Sequence, residues 1–150
     1  MATRCRIGIK EKGFIRHIYS HWDGYPEYVG ELLMNHYETS EKAKALINLG
    51  NISILRRFIG KKHEAGAISK RKQWTESYGR DFDYKGDEPK KSKNIALFLD
   101  VTKKMWGEYA YLFQNGEWYY KDTYKDGDFA PLSDYFKNKP KDTQETELPF

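Results

Sequence analysis

The sequence predicts an α+β domain in which an antiparallel sheet of about four to five strands, with hairpins at its N- and C-terminal ends, is covered by three or four helices. Three observations predict it. Apolar and basic residues alternate near the N-terminus, an apolar stripe at helical spacing begins at Pro26, and two aromatic-rich runs flank Asn115-Gly116.

Thr3 to Lys10 and Phe14 to Ser20 read as strands joined near Glu11-Lys12-Gly13, with Cys5, Ile7 and Ile9 alternating against Arg4, Arg6 and Lys10. That pattern predicts a hairpin with one wet face. Pro26 suits a first helical position, and Val29, Leu32, Leu33, His36 and Tyr37 form one stripe, so a helix is expected from Pro26 to Glu38. Thr39 or Ser40 caps a second helix carrying Ala43, Leu46 and Ile47, and Gly50 stops it. From Asn51 to Gly66 the pattern supports at most a short helical turn through Ile52, Leu55, Phe58 and Ile59.

Lys72 to Tyr78 puts Trp74 and Tyr78 on one side, which predicts a third strand, followed by a polar loop from Arg80 to Ser92. Ile95, Phe98, Leu99, Thr102 and Trp106 recur at helical spacing. Asn115-Gly116 is the dipeptide a type I′ turn prefers, and a two-residue hairpin sets Phe113 opposite Trp118 and Tyr111 opposite Tyr120. Those four rings then share one side, and Ala110, Leu112 and Tyr119 the other. Pro131 to Phe136 reads as a short terminal helix. The expected organisation is one domain over 1–137 and a flexible, proline-punctuated tail over 138–150.

Composition narrows the function. No run approaches the ~18 apolar residues of a membrane helix, and the N-terminal stretch lacks the apolar core of a secretory signal, so no membrane association is expected. Cys5 falls in a strand-like run, where it reads as a small buried hydrophobe. Aromatics reach 16% of residues, more than a core of this size requires, and Tyr and Trp recur where flat ligands or partners are held. Charge is segregated: Arg56, Arg57, Lys61, Lys62, Lys70, Arg71 and Lys72 cluster mid-chain, whereas Asp122, Asp126, Asp128, Asp134, Asp142, Glu145 and Glu147 mark the last part. No zinc-finger spacing, RNA-recognition signature or helix-turn-helix accompanies the basic stretch, so sequence-specific DNA binding is not expected.

Two polar clusters stand out. His21-Trp22-Asp23-Gly24-Tyr25-Pro26 packs an imidazole, an indole, a carboxylate and a phenol into a strand-to-helix turn, where helical N–H groups meet a stacking surface. Tyr78-Gly79-Arg80-Asp81 sets a guanidinium beside carboxylates. Each also has a plain structural account, as a turn organised by Asp23 and as a surface Arg80 to Asp81 pair. The four histidines and many carboxylates form no metal motif, and there is no phosphate-cradling glycine loop or nucleophile elbow, so neither a metal nor a cofactor is expected.

Taken in order, several strings resemble a family of small proteins encoded by tailed phages and prophages. They are His21-Trp22-Asp23-Gly24-Tyr25-Pro26-Glu27 with Val29-Gly30, Leu49-Gly50-Asn51-Ile52-Ser53, Tyr78-Gly79-Arg80-Asp81, and Glu108-Tyr109-Ala110-Tyr111-Leu112-Phe113 leading to Gly116-Glu117-Trp118-Tyr119. Where that family carries Gly-Glu close after Arg-Asp, this chain interposes Phe82, Asp83, Tyr84 and Lys85 before Gly86-Asp87-Glu88. The resemblance implies a phage accessory protein acting in the host cytoplasm.

The expectation drawn from residues and resemblance together is a counter-defence protein that sequesters a nucleotide-derived signalling ligand without catalysis. Its site would combine His21, Trp22, Asp23, Tyr25, Arg71, Tyr78, Arg80 and Asp81, with Trp22 and Tyr25 stacking on a base and Arg71 and Arg80 holding phosphate. A homo-oligomer is expected, because small-ligand sites often form between protomers. Two alternatives stay open: an inhibitor directed at a host defence nuclease, and a nucleotide-cleaving enzyme using His21 and Asp23 as acid and base.

Overall fold

The computed structural model describes residues 2–137, so the tail expected over 138–150 lies outside the described residues. The chain runs β1 (Arg4–Glu11), β2 (Phe14–Ser20), a π-wound turn (Pro26–Gly30) continuous with α1 (Glu31–His36), α2 (Ser40–Asn48) and β3 (Ile52–Ile54). It continues through α3 (Ala67–Lys72), β4 (Glu76–Ser77), α4 (Tyr78–Phe82), β5 (Lys90–Ser92), α5 (Ile95–Lys104), β6 (Gly107–Gln114), β7 (Glu117–Asp122), β8 (Ala130–Pro131) and α6 (Leu132–Lys137).

The class is α+β, but the sheet corrects the expectation of four to five antiparallel strands. It has eight strands in the order β4-β3-β2-β1-β6-β7-β8, with β5 on the same flank of β2 as β3, and it is mixed: β1 pairs with β6, and β2 with β3, in parallel. The cause is the placement of helices. Parallel neighbours need a crossover, usually helical. One crossover, through α1 and α2, returns the chain from β2 to β3 on one face; the other, through α5, carries it from β5 over β2 and β1 to β6.

Local signals behave as their chemistry demands. The Thr39 hydroxyl accepts from the Lys42 N–H and caps α2, while Gly50 (φ 79°) ends it. At the last hairpin Asn115 (φ 52°) and Gly116 (φ 80°) are both left-handed, and the register pairs Phe113 with Trp118 and Tyr111 with Tyr120 as expected. The Pro26 and Ile95 helices and the terminal helix also form.

The third strand differs. Residues 67–72 are helical because the buried Glu76 carboxylate accepts from the Gly66 N–H and the Ser69 hydroxyl, which folds that segment back; only Glu76–Ser77 pairs, with β3. Ile52–Ile54 is a strand instead of a helical turn, and the loop expected from Arg80 contains α4 and β5.

One face of the sheet packs Cys5, Ile7, Ile18, Tyr111, Phe113 and Trp118 against Val29, Leu33, Leu46, Ile47 and Leu132 from the helices. Cys5 is fully buried, which pushes its thiol up to about 12. The hairpin has its expected wet face largely covered. Its second side lies under α5, where Phe98 joins Ile15, Ala110 and Leu112, and Gly8 lets Phe98 close in: a Cβ there would stand 3.1 Å from the ring.

That cover buries Arg6, whose Nε donates to His17 Nδ1 at 2.9 Å while the other ring nitrogen meets Ser92 Oγ at 2.8 Å. Accepting from Arg6 requires a neutral His17, and burial followed by the Arg6 charge lowers its pKa to about 3. The unfolded chain therefore takes up a proton near pH 6.5 that the folded chain refuses until about 3, and stability falls with pH across that window. The expected loss attributable to His17 is on the order of 3 kcal/mol by about pH 4. Urea unfolding of the wild type and of His17→Gln from pH 7 to 4 checks it: the variant should show the shallower slope, and parallel slopes would contradict the assignment.

Candidate functional site

After β2 the chain continues its pairing with β3 through backbone bonds, His21 N–H to the Ile52 carbonyl at 3.2 Å and Trp22 N–H to the Ser53 carbonyl at 3.0 Å. It then turns sharply. Asp23 is left-handed (φ 57°), Gly24 N–H donates to the Thr3 carbonyl at 2.8 Å, and the buried Tyr111 hydroxyl donates to the Gly24 carbonyl at 2.7 Å. Residue 24 must be glycine, because a Cβ would sit 2.8 Å from the Thr3 oxygen and 2.9 Å from Cys5 Cβ. With the turn held in this way, Trp22 and Tyr25 are left exposed at 43% and 37%.

The structure divides the eight expected site residues into three groups and leaves Arg71 apart from all of them. His21 and Trp22 meet edge to face, ring centroids 4.7 Å apart. His21 Nδ1 is 2.6 Å from the Tyr19 hydroxyl, and Tyr19 in turn lies in the field of Arg4 and Tyr78. Tyr78, whose phenol pairs with the Ser53 side chain, stacks on Tyr84 at 5.8 Å with the rings 2° from parallel. So His21, Trp22 and Tyr78 gather around the ends of β2 and β3. Arg4, Tyr19 and Ser53 join them, residues that the sequence reading passed over. Strand alternation could have found Arg4 and Tyr19, since the β1 and β2 register places them on one side of the sheet.

Asp23 and Tyr25 occupy the other flank of the turn, where burial and then the Asp23 and Glu27 carboxylates raise the Tyr25 phenol; Tyr28, with its hydroxyl on the Leu55 carbonyl, senses both of them and Arg56. Arg80 and Asp81 do something else. The Arg80 guanidinium grips Asp81 through Nε at 2.9 Å and Nη2 at 3.0 Å and donates to the carbonyls of Ile59, Gly60 and Thr75. The fully buried Asp81 carboxylate also accepts from the backbone of Ser77 at 2.8 Å and His63 at 3.2 Å. Arg80 thus fastens the 59–63 loop to the end of β4, and its donors are committed to that task. Arg71 lies exposed in the last turn of α3.

Chemically, the gathered residues form an open face. Arg4 stands beside the Tyr19 oxygen, which shares a 2.6 Å hydrogen bond with His21 Nδ1, and a phenol that donates its proton there leaves the His21 proton on Nε2. Burial and the Arg4 charge both lower the His21 pKa, which favours the neutral ring beside an exposed indole. Cavities of about 140 to 390 Å³ elsewhere among the described residues are lined by other side chains. Among the described residues no three His, Cys, Asp or Glu side chains group as metal ligands, and no helix is long and apolar enough to cross a membrane. No family profile matches the chain, and neither the curated proteins nor the solved structures compared with it give a significant match.

The Arg80 clasp sets a stability test. Arg80→Met leaves a buried carboxylate with its main cation gone and is expected to cost about 3 kcal/mol in urea unfolding, whereas Arg71→Ala on the surface should stay within about 0.5 kcal/mol. A stability change below about 1 kcal/mol for Arg80→Met would contradict the clasp.

Proposed function

We propose that this chain is a phage counter-defence protein that binds a nucleotide-derived anion without catalysis, on the open face made by Arg4, Tyr19, His21, Trp22 and Tyr78. The reading rests on one observation above all: the Arg4, Tyr19, His21 relay lies directly beside an exposed Trp22 ring. A flat base stacks on the indole, the neutral imidazole donates to a base or ribose acceptor, and Arg4 supplies the phosphate contact assigned by sequence to Arg80 and Arg71. Membership of the phage family resembled by the His21 to Glu27 string is part of the same proposal, as is action in the host cytoplasm.

The openness of the face supports a second reading. An exposed aromatic surface also suits a protein partner, such as a host defence nuclease that the chain would inhibit.

Calorimetry of the purified chain against cyclic and linear nucleotides tests the first reading. Binding of at least one member is expected, weakened about tenfold or more by Trp22→Ala and by Arg4→Met, with the ligand recovered chemically intact after the protein is denatured. Absence of heat with every nucleotide, while a host protein co-purifies with the wild type and is lost in Trp22→Ala, would transfer the face to the second reading.

A further inference from the structure

The charge segregation seen in the sequence is carried into the fold, where a basic aromatic patch and an acidic aromatic cavity flank opposite ends of the sheet path. We propose that copies of this chain associate head to tail, with the Arg57 and Phe58 patch of one copy seated in the tyrosine-lined acidic cavity of the next.

The donor patch flanks β4, the first strand of the path. Phe58 N–H donates to the Gln73 carbonyl at 2.9 Å and its carbonyl accepts from the Thr75 N–H at 2.8 Å, so the segment is braced against the chain just before β4. Phe58 is nonetheless 50% exposed, and the Arg57 guanidinium lies 5.1 Å above its ring. Beneath them a cavity of about 350 Å³ has Tyr37, Ala45 and Ile59 in its wall and Lys42 and His36 at its rim. The exposed Lys70, Arg71 and Lys72 of α3 follow within a few residues of the same brace.

The receptor lies where the loop joining β7 to β8 meets β6, β7 and α6, at the far end of the path. A cavity of about 240 Å³ is walled by Tyr109, Tyr120 and Tyr135 and edged by Asp122, Asp126 and Asp128. Tyr120 and Tyr135 stand 5.4 Å apart at 79°, two walls of a corner. Burial first, then the carboxylates of Asp122, Glu27 and Glu108, raise the Tyr109 phenol, so negative potentials converge on this place. Lys121 is turned onto the main-chain carbonyls of Asp122 and Lys125, which spends its donors on the backbone, while Lys125 stands at the rim.

Perpendicular tyrosine walls with carboxylates at the mouth are what a guanidinium recognises, by its attraction to ring faces and by planar donation to carboxylate oxygens. Three carboxylates outnumber the Lys121 and Lys125 ammonium groups in the lining, which favours a cation over a phosphate there. An occupant needs a cation with an apolar ring behind it, and Arg57 over Phe58 is that arrangement on this same chain. The edge strand β8 is only two residues long, so the contact is between side chains and does not extend the sheet. Because donor and receptor are different surfaces, the contact is heterologous and leaves one of each unsatisfied at the ends of every open assembly.

Sedimentation velocity of the full chain tests this. At low salt the wild type should run at multiples of 17.8 kDa and fall toward the monomer as salt approaches about 1 M, where screening acts within about 3 Å. Arg57→Glu alone and Asp126→Lys with Asp128→Lys alone should each be monomeric, and an equimolar mixture of the two should give a particle of two copies, since each retains the surface the other lost. Circular dichroism melts matching the wild type establish that the variants fold. If a charge-reversed variant does not fold, Arg57→Ala and Asp128→Asn replace them and should shift the midpoint of association at least tenfold. A wild type that stays monomeric at low salt, or a mixture in which the two variants remain separate, would overturn the proposal.

Discussion

A single buried hydrogen bond, from the Tyr111 hydroxyl on β6 to the carbonyl of Gly24, holds the turn on which the candidate site depends. Tyr111 sits in the middle of the core, where an unpaired phenol would cost about 1–3 kcal/mol, so the turn is drawn to it. Gly24 can obey because it has no Cβ to strike Thr3 and Cys5, and its own N–H is taken by Thr3. Once residue 24 is fixed to β1 and β6, the residues on either side have few choices. His21 and Trp22 extend the β2 pairing with β3, Asp23 accepts a left-handed backbone, and the rings of Trp22 and Tyr25 are turned to the outside.

The second determinant is how far α5 covers its face of the sheet. Strand alternation gives that face a row of polar side chains, Arg4 and Arg6 from β1 and His17, Tyr19 and His21 from β2 and its continuation. Under α5 the row becomes structure: Arg6 and His17 are fully buried, bonded to each other, and Phe98 lies 4.9 Å from the imidazole. Further along, Tyr19 and His21 keep partial access to water, and the same kinds of group form an outward-facing relay instead. One stretch of polar strand thus yields a stabilising contact and a surface with binding chemistry, according to what packs above it.

Which features could be read from the sequence follows the range of the interaction behind each. The Asn115-Gly116 hairpin, the Thr39 cap and the Gly50 stop depend on a few neighbouring residues, and all three form as expected. The parallel pairings were illegible because they depend on where α1, α2 and α5 cross the sheet, and alternation along a strand carries no record of its neighbour's direction. Arg80 was misleading for a similar reason. Its adjacency to Asp81 is visible in the sequence, but the carbonyls of Ile59, Gly60 and Thr75 that occupy its remaining donors come from elsewhere in the chain. Glu76 likewise gives no local sign that it will bend residues 66–69 into the start of a helix.

The account stands or falls on the relay that presents His21 to solvent. Long-range proton–nitrogen correlation spectra of the uniformly labelled chain report which imidazole nitrogen carries the proton. The expected result is a neutral His21 protonated at Nε2, titrating below the ordinary histidine value of about 6.5 because burial and Arg4 disfavour its cation. A His21 protonated at Nδ1 at neutral pH, or one that becomes cationic above its ordinary value, would contradict the arrangement from which the binding face is derived.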